Sequence, residues 1–350
     1  MSESGKATDV NTDATPQTAD DVGSTAASRI IKGPGRWRLG INPVYLVLLI
    51  LLVVIVLLSP HFMQPTGYMN FLKRAAPLVI LAVGQLYVIV SGGFDLSVGS
   101  IITLTVIGSS ILTNGDPNAS YWVIPLMLGM GVLVGMVNGM VVCWLKVPSI
   151  IATLGMMITL NGIALTWSGG APRGYLPDTF RFFGRVLIKD VPLVKIFPVA
   201  LIVMLVVGGL LWWLMHRTQY GKLLHAIGDN PQAARLSGVA VPRIRIAAFV
   251  VSAVTAVIAG ILLGGFAGVS TDVGLGYELQ AITATVIGGA QLLGGRGAVG
   301  ATIAGALCLQ AIFTLLNLLG LPKPIRDVVQ GLILIAAVSV AVIRRRYSKD

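Results

Sequence analysis

The chain has 350 residues, 55% of them apolar and 11% charged, with a formal net charge of +11 and a mean hydropathy of +0.86. A soluble domain is about 45–50% apolar and about 25% charged, so the few charges here cannot coat a soluble surface, and a soluble enzyme, a nucleic-acid module and a disordered chain are excluded. A polytopic membrane protein remains, in which the surplus of Lys and Arg reports sidedness rather than affinity for nucleic acid.

Residues 1–28 are polar, without apolar periodicity, and net −4 from Lys6 against Glu3, Asp9, Asp13, Asp20 and Asp21. They read as a disordered cytoplasmic tail. Residues 29–40 carry Arg29, Lys32, Arg36 and Arg38, a basic collar suited to anionic lipid headgroups. A transmembrane domain is expected over 41–345, closed by a cytoplasmic end at 346–350. Reading from charge to charge gives ten windows: 39–72, 75–94, 96–115, 117–145, 147–172, 196–216, 246–271, 279–295, 297–322 and 328–343. Most reach the roughly 20 apolar residues that a spanning helix needs, and helices are expected because the bilayer core cannot satisfy a bare backbone. The eighth is short and holds Gly288, Gly289, Gly294 and Gly295, which marks it as a short or broken helix. The fold class is therefore all-α, with about ten transmembrane helices in a compact glycine-rich bundle. Ten crossings from a cytoplasmic N-terminus place 16 Lys and Arg inside and 9 outside, which favours both termini in the cytoplasm.

Two loops stand out. In 173–195, Gly174, Pro177, Gly184 and Pro192 punctuate a segment whose Phe180, Phe182 and Phe183 suggest an interfacial or re-entrant anchor. In 217–245 lies GDNPQAARLSGV, Gly228–Val239. Asp229 or Asn230 can cap a helix, Pro231 suits its first position and Gly238 its stop, which predicts a helix over about Pro231–Ser237. So short a helix is marginal in water and must dock on its own membrane domain, as a connector, or on a cytosolic partner.

Gly131, Gly135 and Gly139 repeat every fourth residue, a pattern that lets helix backbones approach closely. Asp95 is the one acid between Ala75 and Gly115. In SGGFDLSVGS (Ser91–Ser100) it has two readings: a carboxylate at membrane depth with a functional role, or the N-capping Asp of a turn. GRGAVG (Gly295–Gly300) matches a dinucleotide fingerprint, but it lies between membrane windows and no acid follows before Asp327, so it is rejected. The sequence has no phosphate-binding P-loop, its three histidines are scattered, and Cys143 and Cys308 sit in apolar runs. No catalytic residue, metal site or cofactor of its own is expected.

SGGFDLSVGSI (Ser91–Ile101) resembles the hallmark segment of ribose-type monosaccharide permeases of ATP-binding-cassette importers, in the branched-chain amino acid/ribose permease superfamily. VPSIIATLGMMITLNGIAL (Val147–Leu165), YGKLLHAIGDNPQAARLSGVAV (Tyr220–Val241) and ITATVIGGAQLLGGRGAVGATIAGAL (Ile282–Leu307) match further motifs in order. The resemblance covers roughly 70–343, with Phe94 standing where Ile is more usual. It implies a permease subunit of a bacterial cytoplasmic-membrane importer, paired with a second permease subunit that is the same or related. It also implies ATP-binding subunits that hold ATP·Mg beneath the pair, and an extracytoplasmic sugar-binding protein. On that reading Gly228, Asp229, Asn230, Ala233, Ala234, Arg235 and Gly238 form the coupling helix gripped by the ATPase. Asp95, Ser97, Asn138 and Asn161 become candidates for the substrate pathway or its gate. The rivals are an importer permease for branched-chain amino acids or nucleosides, a secondary transporter, for which intramembrane carboxylates are scarce, and a membrane-embedded enzyme.

Overall fold

The computed structural model describes residues 42–192 and 194–346. The expected tail and collar over 1–40 lie outside the described residues, as does the end beyond Arg346. The described chain is a polytopic helical membrane protein. Its helices in order are α1 (Pro43–Leu58), α2 (Pro65–Val90), α3 (Val98–Thr113), α4 (Ser120–Cys143), α5 (Ser149–Ser168) and the short α6 (Asp178–Arg185). After strands β1 (Leu187–Val191) and β2 (Lys195–Pro198) come α7 (Val199–Arg217), α8 (Gln219–Asp229) and α9 (Pro231–Leu236). The chain continues with α10 (Val241–Ala267), α11 (Tyr277–Ile287), α12 (Val299–Leu318) and α13 (Lys323–Arg346).

Each charge-free window holds the body of one helix, although among the described residues six helices (α2, α4, α5, α7, α10 and α12) are long and apolar enough to cross a membrane. The apolar α1 and α3 are shorter, at 16 residues each. Local chemistry explains many ends. Asn42 caps α1 by accepting from Val44 N at 3.2 Å with Pro43 at the first position, α2 and α9 also begin on prolines, and α10 carries Pro242 at its second position. α5 stops where Gly169 takes φ +72°, a left-handed conformation that glycine adopts without strain. Helix α2 departs from its window. It starts at Pro65 and runs through Lys73 and Arg74, because the Lys73 ammonium reaches out to the carbonyl of Arg185 at the end of α6, 3.2 Å away.

The eighth window is a short helix. At about 1.5 Å per residue the 11 residues of α11 span about 16 Å, half of a hydrocarbon core of about 30 Å. Its glycines instead build the turn between α11 and α12.

Burial ranks the helices. The most apolar stretch of α2 is 89% buried and that of α10 67%, against 17% for α5, so α2 and α10 form the centre and α5 the rim. The glycine stripe of α4 makes the seam with α10. A Cβ on Gly135 would lie 2.6 Å from Val250 Cα, one on Gly139 2.7 Å from Ile246 Cα, and one on Gly131 3.2 Å from the Ala253 carbonyl. No side chain fits at Gly135 or Gly139, so the helices touch backbone to backbone there.

The aromatic loop is an anchored element. In α6, Phe180 is fully buried and a Cβ on Gly184 would lie 2.1 Å from the Leu262 carbonyl of α10. Strands β1 and β2 form an antiparallel hairpin pairing Leu187 with Pro198 and Ile188 with Phe197, a small addition that the sequence did not announce.

Candidate transport and coupling sites

The SGGFDLS segment breaks the chain between α2 and α3 inside the bundle. Its backbone leaves the helix ladder and finds partners on neighbours. Phe94 N donates to Ser149 Oγ and Leu96 N to Thr153 Oγ1 on α5, each at 3.0 Å. The Gln85 amide on α2, with its oxygen and nitrogen assigned to suit their partners, pairs with both the N–H and the C=O of Asp95 at 3.2 Å. The Asp95 side chain is fully buried. Its Oδ1 accepts from Ser97 N at 3.0 Å and from Ser97 Oγ at 2.6 Å, closing a turn one residue before α3. Asn138 Nδ2 of α4 then donates to Ser97 Oγ at 2.9 Å. Three of the four pathway candidates, Asp95, Ser97 and Asn138, thus form one buried network. The other carboxylate oxygen, Oδ2, has no hydrogen-bond partner among the described residues.

Asn161 lies elsewhere. It lines a cavity of about 200 Å³ bounded by the start of α3, the middle of α5 and the connection from α10 to α11. That connection turns back into the bundle: Gly264 packs on Val106 of α3, whereas Gly274 lies against Gly99, its N–H donating to Thr103 Oγ1 at 3.2 Å.

At the α8 end of the bundle the expected short helix forms as α9. Asn230 is the cap, its Oδ1 accepting from Gln232 N and Ala233 N at 3.0 Å each, with Pro231 at the first position and Gly238 at φ +81°. Asp229, the other capping candidate, instead ends α8. Of the two alanines Ala234 is buried with Ile227 and Val241, while Ala233, Arg235 and Gly238 face outward. Leu236 is 91% exposed. Arg235 also lines a cavity of about 380 Å³ with Gly92, Gly93, Lys146 and Arg245.

This element is locked to the α2 end. A Cβ on Gly228 would lie 1.9 Å from Val90 O and 2.2 Å from Gly295 N, and Gly295 N donates to Val90 O at 2.9 Å. His225 Nε2 lies 3.2 Å from Gly297 O, and Arg245 Nε donates to Ser91 O at 3.1 Å. Tyr220 of α8 stacks on Tyr87 of α2 with ring centres 6.1 Å apart, and burial pushes its phenol well above the usual tyrosine pKa. The glycines of GRGAVG therefore serve close backbone packing rather than a nucleotide.

Several residues escaped the sequence reading. Ser149, Thr153 and Gln85 hold the α2–α3 turn; of these only Gln85, an amide in mid-window, carried a signal. Leu236 stood out only as an apolar residue in a polar loop. Glu278 lines the Asn161 cavity but fell at a window edge, because windows cut at charges place every charge at a boundary.

The family model described as "Branched-chain amino acid transport system / permease component" matches residues 67–338. The ribose import permease protein of Escherichia coli K12 is 34% identical over 298 residues, 84% of this chain and 91% of that protein. The ribose import permease protein of Haemophilus influenzae is 32% identical over 84% of this chain and 90% of its own length. The autoinducer 2 import system permease protein of Escherichia coli O157:H7 is 33% identical over 83% of each chain. No solved structure matches. With its central helices, its broken α2–α3 turn and its short α11 all inside the matched region, this chain belongs to the family of branched-chain amino acid transport system permease components.

Proposed function

We propose that this chain is the membrane-spanning subunit of an ATP-driven importer, carrying a monosaccharide or related polyol handed over by an extracytoplasmic binding protein. The names of the relatives, ribose and autoinducer 2 import permeases, support the substrate class. The observation that carries the mechanism is α9. A six-residue helix with Leu236 and Ala233 exposed is wired through Gly228 and Gly295 to the end of α2. Such a helix is marginal alone, and its outward face suits the groove of an ATP-binding subunit. The residues of this coupling element are Gly228, Asp229, Asn230, Ala233, Ala234, Arg235 and Gly238, joined by Leu236.

The chain itself does no covalent chemistry and needs no cofactor. ATP·Mg is bound and hydrolysed by the partner, whose cycle biases inward-open against outward-open states of a pair of permease subunits. Residues 1–40 form a cytoplasmic tail with its collar, 41–345 the permease domain, 217–245 its coupling loop and 346–350 the cytoplasmic end. The excess of 16 inner over 9 outer basic residues supports ten crossings with both termini inside, and a reporter fused after Asp350 reads out in the cytoplasm.

Reconstitution tests the function. The permease, its ATP-binding subunits and its binding protein are placed in liposomes with a panel of D-ribose, D-xylose, D-galactose and myo-inositol. The expected result is sugar-dependent ATP hydrolysis and uptake. Stimulation by leucine or a nucleoside, with none by any sugar of the panel, would overturn the substrate class.

A further inference from the structure

We propose that the cavity between α3, α5 and the α10–α11 connection is a waypoint for the substrate, with Glu278 accepting hydrogen bonds from its hydroxyl groups. This rests on the sugar-import reading above. The cavity encloses about 200 Å³, and its walls divide by chemistry. Met157, Ala164 and Leu165 of α5 supply an apolar face, while Asn161, Thr103 and Glu278 supply polar groups. A concave site with an apolar wall and convergent polar groups is the usual form of a small-molecule site, and Ser100, Thr271 and Asp272 add further polar groups here.

Glu278 is the informative member. It is partly buried in the first turn of α11, where the helix dipole favours a negative charge. Among the described residues no Lys, Arg or His forms an ion pair with it. A partly buried acid without a counter-ion is costly to desolvate, which makes it a candidate functional position. The fold makes room for it: a Cβ on Gly99 would lie 2.2 Å from Glu278 Oε2 and 2.7 Å from the Gly274 carbonyl, so only glycine lets the carboxylate and its loop approach α3.

The polar groups match a polyol. A carboxylate is acceptor-only and takes hydroxyl donors in charge-assisted bonds, and the Asn161 amide both donates and accepts. Thr103 Oγ1 already accepts from Gly274 N, which leaves its O–H to donate. An amino acid fits poorly. The lining holds two acids, Asp272 and Glu278, and no cation, so an incoming carboxylate meets like charge and finds no partner. The site also differs from the Asp95 network, which is fully buried and lines no cavity with Asn161.

The test uses the complete reconstituted transporter with the sugar of the panel that best drives wild-type ATP hydrolysis. If no sugar drives the wild type, the import reading itself fails. Given an active wild type, Glu278→Gln and Glu278→Ala should reduce sugar uptake about tenfold or more, the loss expected for one charge-assisted hydrogen bond. ATP hydrolysis stimulated by the loaded binding protein should stay within about twofold, so fewer sugars move per ATP, and Glu278→Asp should recover part of the uptake. A merely structural role would instead lower uptake and hydrolysis together. Asn161→Ala probes the opposite wall without touching Glu278 and should show the same fall in sugars per ATP; it decides the matter if the Glu278 variants do not assemble. Wild-type sugars per ATP in Glu278→Gln and Glu278→Ala, or in Asn161→Ala where those do not assemble, would overturn the proposal.

Discussion

Two breaks in the bundle carry an acidic residue at the foot of a short helix, and they treat it in opposite ways. At the α2–α3 turn Asp95 is fully buried and its Oδ1 is held by Ser97. At the α10–α11 turn Glu278 faces a cavity with no ion-pair partner among the described residues. The first carboxylate closes a turn; the second has acceptor capacity directed at an open space. Neighbours within the first few residues set the difference. Asp95 is followed at two positions by a serine whose N–H and hydroxyl reach back to it, whereas Glu278 is followed by Leu279 and Gln280 and lies against Gly99 of α3.

Substitutions separate the two regions, beginning with the largest expected effect. Asp95→Ala leaves the buried N–H and hydroxyl of Ser97 without their acceptor, at about 2–4 kcal/mol for two orphaned donors. It should lower the melting temperature and membrane yield of the complex together, while Glu278→Ala leaves both near wild type. Equal destabilisation by the two would erase the contrast. Gly99→Ala pushes the α10–α11 connection away from α3 and, as an overpacking change, should cost about 1–3 kcal/mol along with a clear loss of uptake; unchanged uptake and stability would mean that the loop gives way freely. Thr153→Val removes the acceptor of Leu96 N and should cost about 1 kcal/mol, again read as melting temperature.

The smallest effects on stability are the most discriminating for function. Asp95→Asn keeps an oxygen acceptor at Oδ1, so folding should be retained; lost transport with intact folding would give Asp95 a role in the pathway beyond closing its turn. Leu236→Asp lies on an exposed face and should change stability by no more than about 0.5 kcal/mol, yet abolish ATP hydrolysis stimulated by the binding protein. It tests docking more cleanly than a bulky charge at Gly228 or Ala234. Both of those positions are packed, and changes there disturb the seam to α2 as well as the contact with a partner.

Much of the fold was legible because it is written in near neighbours. Ten windows became ten helices, the stripe from Gly131 to Gly139 became the α4–α10 seam, and Asn230 and Pro231 started α9 as capping chemistry requires. One of the two readings of Asp95 was a turn residue, and its Oδ1 does close a turn on Ser97, although Ser97 rather than Asp95 is the N-cap of α3. The hidden parts depend on distant pairs. Gln85 reaches Asp95, but nothing in its own apolar window says so. Glu278 meets Gly99 across almost 180 positions, and windows cut at charges had already set it aside as a boundary.

The sequence by itself determined that this chain lives in a membrane, where its helices run and where the short helix after Asn230 begins, because hydropathy and capping act over a few residues. Only the tertiary structure decided that α2 and α10 are central, that Gly228 touches Val90 and Gly295, and which of two acids is fully buried and which lines a cavity. Those outcomes depend on how far packing brings one backbone toward another, and a glycine shows its purpose only once the atom it makes room for is in place.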